Sequence, residues 1–254
     1  MSRYKNISID TKGALQFFKI LEQCKGDPHR FIFDYCKTKK AGDSVYSLTP
    51  VTSAKEDIVT ARKEAPPGSL TVSYKKRQVE WTNTNVKYDV YDMFFNPLFT
   101  GYWNSIKGDS AKRVIDRIKG TVYSFDFYIP EHYKNVDIEK WVIQEYNREG
   151  KLIKNCKIQS FTQTVTNVTG EYPDCLILDE ASKYDPPESF VQILAESATA
   201  CQFGKRFANS TLQPPSYFID LIQQKPVKGI TYEEHISSFP IPTKAEWMRL
   251  KYGT

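Results

Sequence analysis

The sequence predicts a mainly β chain with helices, an α+β protein with a helix near its N-terminus and a long helix in its C-terminal half. Three observations predict it. Fifteen Phe, sixteen Tyr and four Trp stand in a chain of 254 residues, and aromatic side chains favour a pleated, half-buried surface. Short apolar segments bounded by turn residues fill the stretch from Phe31 to about Thr169. Helical spacing of apolar residues is clearest at two places only, 10–25 and 188–208.

Taken in order, Asp10 can cap a helix in which Ala14, Leu15, Phe18, Leu21 and Cys24 recur at three- and four-residue steps, and Gly26 stops it. Phe17 and Ile20 widen the apolar face beyond one narrow stripe. So wide an apolar face on a terminal helix suggests that it grips something other than its own core. Phe31–Tyr35 and Ser44–Leu48 read as a hairpin around Lys40-Ala-Gly-Asp43. Thr52–Lys63 is helical in texture and ends at Ala65-Pro-Pro-Gly68. Strands are expected at Ser69–Tyr74, Arg77–Thr82, Lys87–Phe95, Gly120–Ile129, Lys140–Asn147 and Leu152–Val165, while 106–118 fits a helix or a loop. Cys175–Leu178 is a compact apolar strand. Pro186-Pro187 then precedes a helix from Glu188 to about Ala208, with Phe190, Val191, Leu194, Ala198, Cys201 and Phe207 on one side. After Pro226 short apolar pieces are expected to wrap the surface.

The bulk composition, 40% apolar and 26% charged, is that of an ordinary globular chain. No run of 18 apolar residues exists to span a membrane, and Met1–Asp10 lacks the apolar core of a secretory signal, so synthesis in the cytosol is expected. Cys24, Cys36, Cys156, Cys175 and Cys201 are too scattered for a metal motif with His29, His132 or His235 and are expected as buried free thiols. The net charge of +5 is spread thinly. Lys37–Lys40 and Lys75–Arg77 are its only clusters, read as solvated faces or, in an alternative reading, as nucleic-acid contacts of a viral capsid or binding protein.

One motif points to catalysis. Cys175-Leu-Ile-Leu-Asp-Glu-Ala-Ser182 is an apolar strand ending in an acidic pair, the way many ATPases hold Mg²⁺ and place a base, and Asn209-Ser-Thr211 imitates the sensor strand of viral DNA-packaging motors. Such motors cradle phosphate on a Gly-rich loop ending in Lys-Ser/Thr. The nearest candidate, Lys107-Gly-Asp-Ser110, lacks that spacing. Asp179 and Glu180 then read as a strand ending in a solvated turn, their neighbouring side chains on opposite faces. Glu139, Lys140 and Glu145 can be arranged as a nuclease triplet only by chance matching. An ATPase or nuclease fragment of a packaging motor is thus the alternative to a non-catalytic protein. The tyrosines suggest another property: Tyr88, Tyr91, Tyr123, Tyr128, Tyr133 and Tyr146 sit among Lys and Asp, and phenols and ammonium groups both lose their protons near pH 10. Interfaces built on them would open in alkali.

Phe127-Tyr-Ile-Pro-Glu-His-Tyr133, Trp141 and Arg148-Glu-Gly-Lys-Leu-Ile153, preceded by Tyr88-Asp-Val-Tyr91 and Asn96-Pro97, resemble the corresponding stretch of cypovirus polyhedrins. The resemblance extends in character to the helix from Phe190 and to Tyr217–Leu221. It implies an antiparallel β-sandwich with an N-terminal helical arm, residues 1–26 forming the arm and residues 27–254 a single sandwich domain, in a structural, non-enzymatic occlusion-body matrix protein in the cytoplasm of an infected host cell. Such a protein forms trimers and then a crystal lattice around virus particles, dissolves in alkali, requires no cofactor and holds nucleotides in the lattice. The resemblance also implies that the arm clamps neighbouring trimers, for which Leu15, Phe17, Phe18 and Leu21 are the candidates.

Overall fold

The computed structural model describes residues 11–39, 44–74, 80–162, 172–211, 217–222 and 235–237. The antiparallel sandwich is not found. The chain is an α/β protein around one seven-stranded sheet in the order β3-β4-β2-β5-β6-β1-β7, formed by β1 (Leu70–Tyr74), β2 (Leu98–Ser105), β3 (Lys140–Tyr146), β4 (Leu152–Thr162), β5 (Cys175–Leu178), β6 (Lys205–Ser210) and β7 (His235–Ser237). Every neighbouring pair is parallel except β3 with β4, which closes one edge as an antiparallel hairpin.

The helices are α1 (Thr11–Cys24), α2 (Pro28–Asp34), α3 (Ser53–Glu64), α4 (Trp81–Phe95), α5 (Gly108–Tyr123), α6 (Glu188–Ala200) and α7 (Tyr217–Ile222). Among the described residues no helix is long and apolar enough to cross a membrane. Alternation along the strands sends side chains to both faces of the sheet. Trp103, Ile177 and Phe207 join Phe17, Phe31, Val90, Phe94 and Ile115 on one face. Tyr102, Leu176, Leu178 and Ala208 join Phe190, Leu194 and Phe218 on the other. A central parallel strand covered on both sides reads as a continuous apolar run, and all four residues of β5 are buried.

The departures from expectation have local causes. Asp27 accepts a hydrogen bond from the Arg30 amide at 3.0 Å and Pro28 opens the first turn, so Phe31–Asp34 are helical and only a single bridge, Thr38 with Ser47, remains of the expected hairpin. Tyr88 and Tyr91, expected in a strand, lie in α4. That helix is buried on nearly every side, so no polar stripe marks its period. The 106–118 segment belongs to α5, which runs on to Tyr123 and removes the expected strand at 120–129. The long C-terminal-half helix ends at Ala200; Phe207 is in β6, beyond the chain reversal at Gly204.

α1 is a helix, as expected, but it is joined to the core. Phe17 is fully buried and meets Tyr133 and Phe94 edge-on at 5.2 and 5.9 Å. Ile20 and Cys24 are buried beside it, Leu21 packs on the same cluster, and Leu15 and Phe18 face outward. The five cysteines are buried and free.

Candidate active site

In an open sheet of parallel strands, ligands bind beyond the carboxyl ends of the strands, where adjoining connections diverge. In this chain the carboxyl ends of β5 and β6 bring two polar side chains together. Asp179 directly follows β5, and its Oδ1 accepts a hydrogen bond from Nδ2 of Asn209, near the end of β6, at 2.9 Å. Its Oδ2 accepts one from Oγ1 of Thr82, in the first turn of α4, at 3.0 Å. Three separate stretches of sequence thus converge on one carboxylate.

Glu180 follows in the left-handed conformation (φ 57°). This turn defeats the strand geometry expected for the pair: Asp179 and Glu180 line one cavity of ≈ 190 Å³ with Thr82, Ser105, Ile106, Ser110, Arg113 and Arg117. Lys183 holds a carboxylate oxygen of Glu180 at 2.8 Å. Ser182 is fixed to the neighbouring strand through the Ser210 hydroxyl at 2.6 Å and the Thr211 carbonyl at 2.7 Å. Two buried polar atoms here, Ser105 Oγ at the cavity and Asn209 Oδ1 beside Asp179, have no hydrogen-bond partner among the described residues. Buried polar atoms are ordinarily satisfied, so orphans at a cavity indicate a missing partner.

The connection from β1 to α4 is what the sequence reading missed. A phosphate loop runs strand–GxxxxGK[ST]–helix, its amides around the phosphates and its Ser/Thr hydroxyl on Mg²⁺. Thr82 lies eight residues after the end of β1, in the first turn of α4 and bonded to the strand-end aspartate, which sets the register. Lys75-Lys-Arg-Gln-Val-Glu-Trp-Thr82 then spans the motif's length with neither glycine nor its lysine. Glu80 stands where the second glycine would, and it adopts the left-handed backbone (φ 55°) that glycine favours. Its carboxylate pairs with Lys55 of α3 at 2.7 Å. Trp81 stands at the lysine position with its indole buried. Lys75–Val79 lie outside the described residues. A search for glycines passes over this connection; its length, between an apolar strand and a helix-opening threonine, is the usable signal. The other candidate loop, Lys107–Ser110, opens α5, and Ser110 lines the same cavity.

No protein-family model matches the sequence, and no curated protein matches it. The fold does have counterparts among solved structures. The ATPase domain of the Thermus phage P74-26 large terminase, in a mutant form, superposes with a TM-score of 0.52 at 16% identity, over 80% of this chain and 89% of that one. The large terminase of another thermophilic bacteriophage, in complex with ADP, gives 0.50 at 15% identity over 80% of this chain and 50% of that one.

The chain is similar in fold to phage large-terminase ATPase domains. It spans about half the length of the ADP-bound terminase. This overturns the polyhedrin resemblance: the stretch that carried it, Phe127–Tyr133 through Arg148–Ile153, folds here as a short 3₁₀ turn at Glu131–Lys134 and the antiparallel edge hairpin of a terminase-like sheet. The occlusion-body lattice loses its support with it. So does the expectation of a chain without enzymatic activity, since the terminase domains on which the chain superposes are ATPase domains.

The remaining candidates disperse. Tyr88, Tyr91 and Tyr133 are core residues, and burial raises their phenol pKa above the ordinary range. Tyr123 and Tyr146 are exposed and Tyr128 is half-buried. Lys37 pairs with Asp126, while Lys40 and Lys75–Arg77 lie outside the described residues. Glu145 of the imagined nuclease triplet instead accepts from His132 and Tyr133, which lower its pKa.

Proposed function

We propose that this chain binds an Mg²⁺–nucleoside triphosphate at the carboxyl edge of its sheet and hydrolyses it, as the ATPase unit of a viral DNA-packaging motor. The observation that carries the reading is the Thr82–Asp179–Asn209 constellation. A hydroxyl at a helix start and a strand-end carboxylate are hard oxygen donors, and Mg²⁺ takes one or two carboxylates together with substrate phosphates. These residues fit the ion; when bound, it would neutralise phosphate charge. Asn209 keeps Asp179 oriented through one oxygen and leaves its own Oδ1 for a ligand or water.

Glu180 is the residue placed to accept a proton from an attacking water, because its turn aims it into the cavity that Asp179 borders. Lys183 steadies its carboxylate. Ser105 offers a hydroxyl to a phosphate oxygen or to the same water. The packaging role rests on the fold alone and concerns an assembly larger than this chain.

The test is Mg²⁺-dependent phosphate release from ATP by the purified chain. Replacing Glu180 with Gln is expected to lower the rate about 10²-fold or more while ATP binding persists, the usual cost of losing a general base. Replacing Asp179 with Asn should remove Mg²⁺-dependent binding as well. A wild-type chain that neither binds nor turns over Mg²⁺–ATP would overturn the reading.

A further inference from the structure

We infer that the positive charge facing the nucleotide's phosphates is carried by α5, on Arg113 and Arg117, and not by the loop that leads from β1 into α4. The inference rests on the nucleotide-binding reading and names which side of the cleft does the work. An Mg²⁺–nucleoside triphosphate keeps a net negative charge, and the cleft already presents Asp179 and Glu180. Some cation of the protein must face it.

The position that carries lysine in a phosphate loop is Trp81, whose indole is buried at 3% exposure and carries no charge. The residue before it is an acid, Glu80, engaged with Lys55 at 2.7 Å. On this side the helix start contributes the Thr82 hydroxyl and no cation. Across the cavity the balance reverses. Arg113 and Arg117 are one helical turn apart, which places both on one face of α5. Both line the same cavity as Thr82, Asp179 and Glu180. Both are exposed, so neither gives up much hydration in reaching a ligand.

A guanidinium fork matches two phosphate oxygens at once, which an ammonium cannot do. A second, independent observation points to a ligand in the same place. Ser105, shortly before α5, lines the cavity with a buried hydroxyl that has no partner among the described residues. A phosphate held by the two arginines would satisfy it. The recognised chemistry is thus a polyphosphate gripped from α5, with Thr82 and Asp179 on its metal side.

The competing source of charge is Lys75, Lys76 and Arg77, and titration of the full chain with mant-ATP and Mg²⁺ separates the two. Four proteins are compared: wild type, R113Q/R117Q, R113K/R117K and K75Q/K76Q/R77Q. The R113Q/R117Q protein is expected to bind mant-ATP about tenfold more weakly or worse, since each charge-assisted hydrogen bond contributes appreciably. Its preference for mant-ATP over mant-AMP should shrink in step, and R113K/R117K should recover part of both. The loop triple variant should lose less than R113Q/R117Q. Circular dichroism should show the same fold throughout, because both arginines are exposed. If R113Q/R117Q binds like the wild type, or if the loop variant alone abolishes binding, the assignment to α5 is wrong while the nucleotide site stands. If the wild type does not bind mant-ATP at all, the nucleotide reading itself falls.

Discussion

Arg62 is buried below the sheet's amino-terminal end with two carboxylates against it, Asp89 at 2.6 Å and Asp92 at 3.0 Å. Trp103 donates its indole N–H to Asp89, and Asn96 donates to Asp92 at 3.2 Å. Burial disfavours the charged form of both carboxyls, and the attraction of Arg62, joined at Asp92 by Lys205, does not offset it, so Asp89 and Asp92 are both held toward their neutral forms. Burial, reinforced by the neighbouring Asp89, pushes the Asp92 carboxyl up to about 7 against the attraction of Arg62, from an ordinary value of about 3.9. Between those two values the folded chain keeps a proton that the unfolded chain has lost. Its contribution to stability is therefore complete below about pH 4 and is lost as the pH rises through about 7. The wild-type melting temperature should fall between pH 6 and pH 8, and Asp92→Asn should flatten that slope and melt higher at pH 8. A chain this size shifts by about 2–4 °C per kcal/mol, so calorimetry at the two pH values resolves it. An unchanged slope in the variant would locate the titration elsewhere. At this scale the sequence was partly legible. Asp179, Glu180 and Asn209 stood out because acids after an apolar strand are a local pattern. Thr82 did not, since its meaning comes only from a hydrogen bond to a residue 97 positions away.

At the level of elements, β1, β3, β4, β5, α1 and α3 were legible because each satisfies a local rule of alternation, capping or amphipathic spacing. α4 was not. Its Val86, Tyr88, Val90 and Tyr91 are strand-favouring residues placed in a helix buried almost all round, where tertiary packing overrides propensity. The parallel order was invisible for a different reason: β2 pairs with β4 and β5, and no local signal encodes so distant a partner. α1 illustrates how an exposed face can mislead. Its width suggested an arm gripping another molecule, yet the most buried of its candidate residues, Phe17, serves the chain's own core. Phe17→Ala should then destabilise by about 3–5 kcal/mol, the usual cost of emptying a buried aromatic site. Leu15→Ala and Phe18→Ala, at 65% and 60% exposure, should stay within about 0.5 kcal/mol. Urea unfolding of the three variants distinguishes them, and equal losses at all three positions would contradict this packing of α1.

For the molecule as a whole, the site has no local owner. Thr82 comes from the first turn of α4, Ser105 from the end of β2, Asp179 and Glu180 from just after β5, and Asn209 from β6, with α5 closing the far wall. In the order of the sheet, β2, β5, β6 and β1 are consecutive, so a ligand seated there would bridge the ends of β2, β5 and β6 and the helix that follows β1. Any ligand bound only by the folded state stabilises it by an amount set by concentration over affinity, about 2.7 kcal/mol at a hundredfold excess over Kd. For a chain of this length that corresponds to a rise in melting temperature of roughly 5–10 °C. Mg²⁺ and ATP together should produce this rise, while Mg²⁺ alone or ATP with EDTA should produce much less, because in the proposed site Asp179 would meet the nucleotide only through the metal. Thr82→Val keeps the shape of the side chain and removes only its hydroxyl, so it should cut the Mg²⁺-dependent part of the rise while a metal-free increment persists. A thermal-shift series on the two proteins reads all of these conditions at once. If the rise were the same with and without Mg²⁺, the nucleotide would be held by α5 and the strand ends without the Thr82–Asp179 pair, and the metal side of the site would have to be abandoned.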